Sequence, residues 1–174
     1  EIISGEKLMK VKKLTLLALF TTLALIIFAA ESMLPPLVPV PGIKLGLAYI
    51  ITLVVLRNFT VKDAAVVLFM RIFLSSFFFG QALSLLYSLA GGFLCLVVMC
   101  LINRLFSGHY LFLTSIAGAL AHNAGQLLTA FFITQTAGIF IYLPFLMLGG
   151  LVTGLFTGLC AHFSQKYLVP LINR

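Results

Sequence analysis

Charge is what this chain has least of. Of 174 residues only 9% are charged, and the four acids, Glu1, Glu6, Glu31 and Asp63, cannot coat the surface of a 19.0 kDa water-soluble domain. A soluble fold is therefore excluded. The acids form no pair of clusters able to hold magnesium and a diphosphate, and no serine or cysteine has a histidine and an acid arranged to activate it. No glycine-rich phosphate loop is present. These absences argue against an enzyme, and no catalytic residue and no cofactor is assigned. The three cysteines, Cys95, Cys100 and Cys160, lie inside apolar runs and read as small hydrophobes; one imidazole without a second ligand nearby is no metal site.

What is present is hydrocarbon. Hydrophobic residues make up 62% of the chain and mean hydropathy is +1.21, so most of the backbone belongs in a lipid bilayer. A spanning helix takes roughly 20 residues. The expected fold is an all-α bundle of six transmembrane helices, with residues 1–8 set aside as an added or extending segment and 9–174 as one domain. The spans are expected at about 14–34, 43–58, 62–79, 82–104, 111–134 and 141–167, the second short enough to be tilted or partly interfacial. Breaks fall at Arg57-Asn58, Gly80-Gln81, Ser107-Gly108 and Gln135 to Gly138. Pro35 to Gly42 holds four of the six prolines and is expected to be an ordered, extended loop.

Six spans with both termini cytoplasmic place Lys7, Lys10, Lys12, Lys13, Arg57, Lys62, Arg104, Lys166 and Arg174 on the inner side and leave Lys44 outside. The net charge of +7 is then a matter of topology and anionic lipid; it does not call for nucleic acid.

An ionisable residue within the bilayer costs roughly 2.5–3.5 kcal/mol on insertion scales. Arg71, in the middle of the third span, is the clearest case. It either faces a polar cavity holding an anionic or carbonyl-bearing ligand, or pairs with Glu31 or backbone carbonyls. Glu31 and Lys44 flank the proline loop, and with Arg71 they line one outward-facing pocket or, singly, set helix depth. In the fifth span Ser115, Gly118, His122, Gly125, Gln126 and Thr129 recur at steps of three and four on a single face, with Asn123 beside it. That face meets a cavity or bonds between helices. In the sixth span Gly150, Gly154 and Gly158 are spaced for close helix packing, and Ser84, Ser88, Gly91 and Cys95 repeat the pattern more mildly in the fourth. Ala18 and Thr22 give the first span a small-residue face.

Pro41-Gly42-Ile43-Lys44-Leu45-Gly46-Leu47-Ala48, Arg71 and His122-Asn123-Ala124-Gly125-Gln126 resemble the bacterial Gx transporter family, whose members are often labelled heptaprenyl diphosphate synthase component I. The resemblance covers the chain from about Met9. That family is similar to the substrate-binding S components of energy-coupling factor (ECF) transporters. It implies a multi-pass protein of the bacterial cytoplasmic membrane that captures a small micronutrient, or a quinone or isoprenoid precursor, and works with a membrane scaffold and two cytoplasmic ATPases. The implied ligand site is Glu31, Lys44, Arg71, His122, Asn123 and Gln126, roofed by Pro35 to Gly42. Ala18-Leu19-Phe20-Thr21-Thr22 is similar to the motif that docks S components on the scaffold, with Thr22 in place of the usual second alanine. The synthase label implies the alternative, a non-catalytic membrane accessory subunit in prenyl diphosphate or menaquinone biosynthesis.

Overall fold

The computed structural model describes residues 2–34, 43–79, 82–106 and 110–172, with side chains from Lys10 onward except at 79, 169 and 171–172. The proline loop Pro35 to Gly42, the breaks at Gly80-Gln81 and Ser107-Gly108, the Lys7 side chain and Arg174 lie outside the described residues.

Six α-helices and one 3-10 turn follow one another: α1 (Ile2–Ser32), α2 (Tyr49–Asn58), α3 (Val61–Phe79), α4 (Ala82–Leu105), α5 (Leu111–Thr134), the 3-10 turn Ala137–Tyr142, and α6 (Leu143–Ile172). Among the described residues four stretches are long and apolar enough to cross a membrane: Lys10–Ser32, Ala82–Leu105, Leu111–Thr134 and Ala137–Leu168. The expected second span is shorter than its hydropathy suggested. Residues 43–46 are not helical, and α2 begins only at Tyr49, so at about 1.5 Å per residue it covers about 15 Å, half a hydrocarbon core. The physical reason is Gly46, whose φ of +78° breaks the helical path.

Polar side chains define the two ends of the bundle. At one end Lys13 of α1 pairs with Asp63 at 2.8 Å. Thr60 and Asp63 form a reciprocal cap on α3: the Asp63 carboxylate accepts from the Thr60 N–H and hydroxyl, and the Asp63 N–H donates to the Thr60 hydroxyl. Arg57 donates to Asn103 at the same end. At the other end Glu31 meets the segment that leads into α2.

Between these ends α4, α5 and α6 pack most closely, through glycine. A Cβ on Gly125 would sit 2.9 Å from the Ala90 carbonyl oxygen, and one on Gly154 would sit 2.7 Å from the Ile116 Cα. The stripe Gly150, Gly154, Gly158 thus lies against α5, as its spacing suggests. Ser115 reinforces that seam by donating to the Gly154 carbonyl and bonding Thr157, both at 2.7 Å. The α1 helix buries Phe20, Ala24 and Phe28 and leaves Leu19, Leu23 and Ile26 exposed.

Candidate ligand site

Glu31, only 6% exposed, is the pivot of the site. Its two carboxylate oxygens accept hydrogen bonds from the Gly46 N–H at 2.6 Å and the Leu47 N–H at 2.9 Å, closing the end of α1 onto the start of α2. The tight turns Tyr49 N–H to Gly46 O and Ile50 N–H to Leu47 O then lead into the helix. A buried carboxylate that accepts two backbone donors is held far more firmly than an interfacial side chain fixing helix depth.

Two cations stand around Phe28. The Lys44 ammonium lies 3.6 Å from the ring centroid and donates to Ser32 Oγ at 2.5 Å, and the Arg71 guanidinium lies 5.9 Å from the same ring. Lys44 sits outside the helices and is half-buried; burial pushes its ammonium below the ordinary lysine range, against the opposing pull of Glu31. Arg71 is 3% exposed, yet it makes no ion pair or hydrogen bond among the described residues, and its Nη2 is buried without a partner. The alternative of a pair with Glu31 is thus absent as a direct contact: Glu31 is within the electrostatic reach of Arg71, but its oxygens are committed to backbone amides.

The polar face of α5 divides between two neighbours. His122 is wedged between the segment before α2 and α4, so that a Cβ on Gly46 would lie 2.6 Å from its Cδ2 and one on Gly91 would lie 2.9 Å from its Nδ1. Its ring also meets Tyr49, 5.8 Å away between centroids. Gln126, one turn along, packs its Cγ against Gly91 and keeps a buried, unpartnered Oε1. Asn123 points the other way, donating from Nδ2 to the Leu146 carbonyl of α6 at 2.6 Å. Ser115 also turns to α6. Glu31, Lys44, Arg71, His122 and Gln126 are therefore brought together by α1, the pre-α2 segment, α3, α4 and α5, while Asn123 donates across the α5–α6 seam and keeps a buried Oδ1 without a partner.

Ser84 was not among the residues expected to bind. Its hydroxyl, 3% exposed, is buried and unpartnered on the face of α4 that carries Gly91. The only signal in the sequence was its place in the Ser84, Ser88, Gly91, Cys95 row, which reads equally well as a packing face. No group of three or more metal-binding side chains occurs among the described residues.

Away from this centre, α1 and α3 enclose an apolar groove of about 380 Å³ that Ala18 and Thr22 help to line, together with Val66 and Met70. Both small residues are exposed, and Thr22 folds its hydroxyl back onto the Ala18 carbonyl at 3.0 Å.

Long apolar helices around a buried polar centre make this an all-α membrane protein. Its residues 20–164 match the family described as heptaprenyl diphosphate synthase component I, and the chain belongs to that family. Comparison with curated proteins and with solved structures gave no match.

Proposed function

We propose that the chain is the substrate-binding S component of an ECF-type importer, a non-enzymatic membrane protein that takes up a small molecule in a pocket at the Glu31 end of the bundle. The observation that carries this reading is the gathering of Glu31, Lys44 and Arg71 beside buried, unbonded polar atoms in a chain only 9% charged. Membrane burial of an arginine without a partner is costly, and a bound anion offsets that cost. Binding needs only a cavity with a few placed polar groups, which matches what this chain carries.

In this reading α2 and α3 complete a six-span bacterial membrane protein. The α3 helix, 19 residues long, covers about 28 Å, and residues 43–48 lengthen the path of α2. The basic residues of the Lys13 end face the cytoplasm, both termini with them, so the pocket opens outward. Ala18 and Thr22, exposed at mid-helix beside the α1–α3 groove, dock the membrane scaffold, and two cytoplasmic ATPases supply the energy.

The family description favours a second reading, an accessory subunit in prenyl diphosphate or menaquinone biosynthesis that carries no catalytic residues of its own. Purification in mild detergent separates the two. Co-purification of a membrane scaffold and ATPases is the expected result, and a soluble prenyl synthase in their place would overturn it. Reconstituted alone in liposomes, the chain should bind its small molecule but not concentrate it.

A further inference from the structure

This inference rests on the binding reading above and concerns the chemical class of what is bound. Most serines and threonines in these helices satisfy themselves: Thr21, Thr129, Thr134 and Ser164, for example, each donate to the carbonyl four residues back. Ser84 and Ser88 do not. Both are buried, at 3% and 4% exposure, on one face of α4, and neither makes a hydrogen bond among the described residues, though only the Ser84 hydroxyl oxygen is fully closed off from the surface. Gln126, at 1% exposure, makes none either, and its Cγ lies against Gly91, one turn from Ser88. A buried hydroxyl or amide left unbonded is expensive, and the Ser84 hydroxyl and the Gln126 carbonyl oxygen on adjoining helices, with the unbonded Ser88 hydroxyl between them, mark a place where another molecule completes them.

Their depth relative to Arg71 follows from the α3–α4 hairpin. Arg71 stands eight residues before Phe79, the end of α3, and Gly91 nine residues after Ala82, the start of α4, so both lie about 12–14 Å along their helices from those ends. Ser88 and Ser84 are then about 5 and 10 Å closer to the Glu31 end than Gly91. The neutral groups thus span the depths from the level of Arg71 up to the Glu31 end of the bundle.

The signs of the charges limit the ligand further. Arg71 and Lys44 against Glu31 leave one positive charge in excess, which suits a monoanion and not a diphosphate. A hydrocarbon tail beside Ser84, Ser88 and Gln126 would leave all three unbonded. We propose that Ser84, Ser88 and Gln126 form a neutral hydrogen-bonding subsite next to the Arg71 anion site, so that the ligand is a small monoanion bearing hydroxyl or amide groups at its far end.

The test uses the full chain in detergent and four probes: gluconate and N-acetylalanine, which are monoanions with hydroxyl or amide groups; hexanoate, a monoanion without them; and geranyl diphosphate. Calorimetric titration should show gluconate or N-acetylalanine binding more tightly than hexanoate and geranyl diphosphate. Ser84→Ala/Ser88→Ala should weaken the favoured probe roughly tenfold per hydrogen bond lost and leave hexanoate unchanged. Alanine is the better helix former, so folding is not at risk, and Gln126→Leu provides a second variant. Tighter binding of geranyl diphosphate, equal binding of hexanoate, or equal weakening of hexanoate by the double variant each overturns the ligand class while binding itself stands. Failure of every probe to bind overturns the class and the binding reading together.

Discussion

Glu31 Oε1 accepts the Gly46 N–H at 2.6 Å, joining the last turn of α1 to a residue fifteen positions later. With the companion bond from Leu47, this is the polar closure that fixes where α2 starts. Glutamine keeps the length of the side chain but replaces one acceptor oxygen with an NH2 that opposes a backbone N–H. Glu31→Gln should therefore destabilise the protein by about 1–3 kcal/mol, read as a lower unfolding temperature in detergent. An unchanged unfolding temperature would show that the closure contributes nothing to the fold.

Gly46 is constrained twice. Its φ of +78° lies in the left-handed region, and an added Cβ would come within 2.6 Å of His122 and 3.1 Å of Tyr49. Gly46→Ala is expected to cost more than the roughly 1–2 kcal/mol of backbone strain alone. Combining it with His122→Ala should recover the steric part, so a double-mutant cycle on thermal unfolding should give a coupling well above additivity error. Strict additivity would mean that the ring moves aside freely.

The α5–α6 seam offers a controlled comparison. Gly154→Ala places a methyl 2.7 Å from the Ile116 Cα, a backbone atom that cannot yield without the helices parting, whereas at Gly138 the nearest atom is Thr136 Cγ2 at 3.7 Å. Unfolding temperature should fall clearly for Gly154→Ala and stay within error for Gly138→Ala. Equal effects would remove close approach as the reason for the glycine stripe.

Arg71 separates binding from folding. Arg71→Ala should weaken binding of whatever small molecule is released from the purified protein by about tenfold or more, since hydrogen bonds to charged groups contribute about 1.5–3 kcal/mol, while the unfolding temperature holds or rises because an unpaired buried cation is gone. Arg71→Lys should be intermediate, keeping the charge but losing the planar fork. Loss of folded protein with unchanged affinity in the remainder would make Arg71 structural.

Hydropathy located the helices well where they face lipid. The expected ends of α4 and α5 differ from the observed ones by a residue or less, because Gly80-Gln81 and Ser107-Gly108 interrupt otherwise unbroken apolar runs. It erred around residues 43–48, since a non-helical segment buried in a bundle is as apolar as a helix, and only the backbone angle at Gly46 tells them apart. The site was legible in part for the same reason. Rare charge singled out Glu31, Lys44 and Arg71, but the spacing of residues on α5 could not say which neighbour each one meets. His122 and Asn123 are adjacent in sequence and about 100° apart around the helix, enough to send one to α4 and the other to α6. Ser84 stayed hidden because serine at small-residue spacing looks the same whether it packs or binds.

The apolar stretch of α1, Lys10–Ser32, is fastened near both ends, by Lys13 to Asp63 and by Glu31 to Gly46, with Ala18 and Thr22 exposed in the length between. Mechanically it is a beam clamped at each end. A helix of a partner settling on Ala18 and Thr22 would load it at mid-length, and the thrust would be delivered to the clamps. One clamp stands among solvated surface charges, but the other is the glycine that presses on His122.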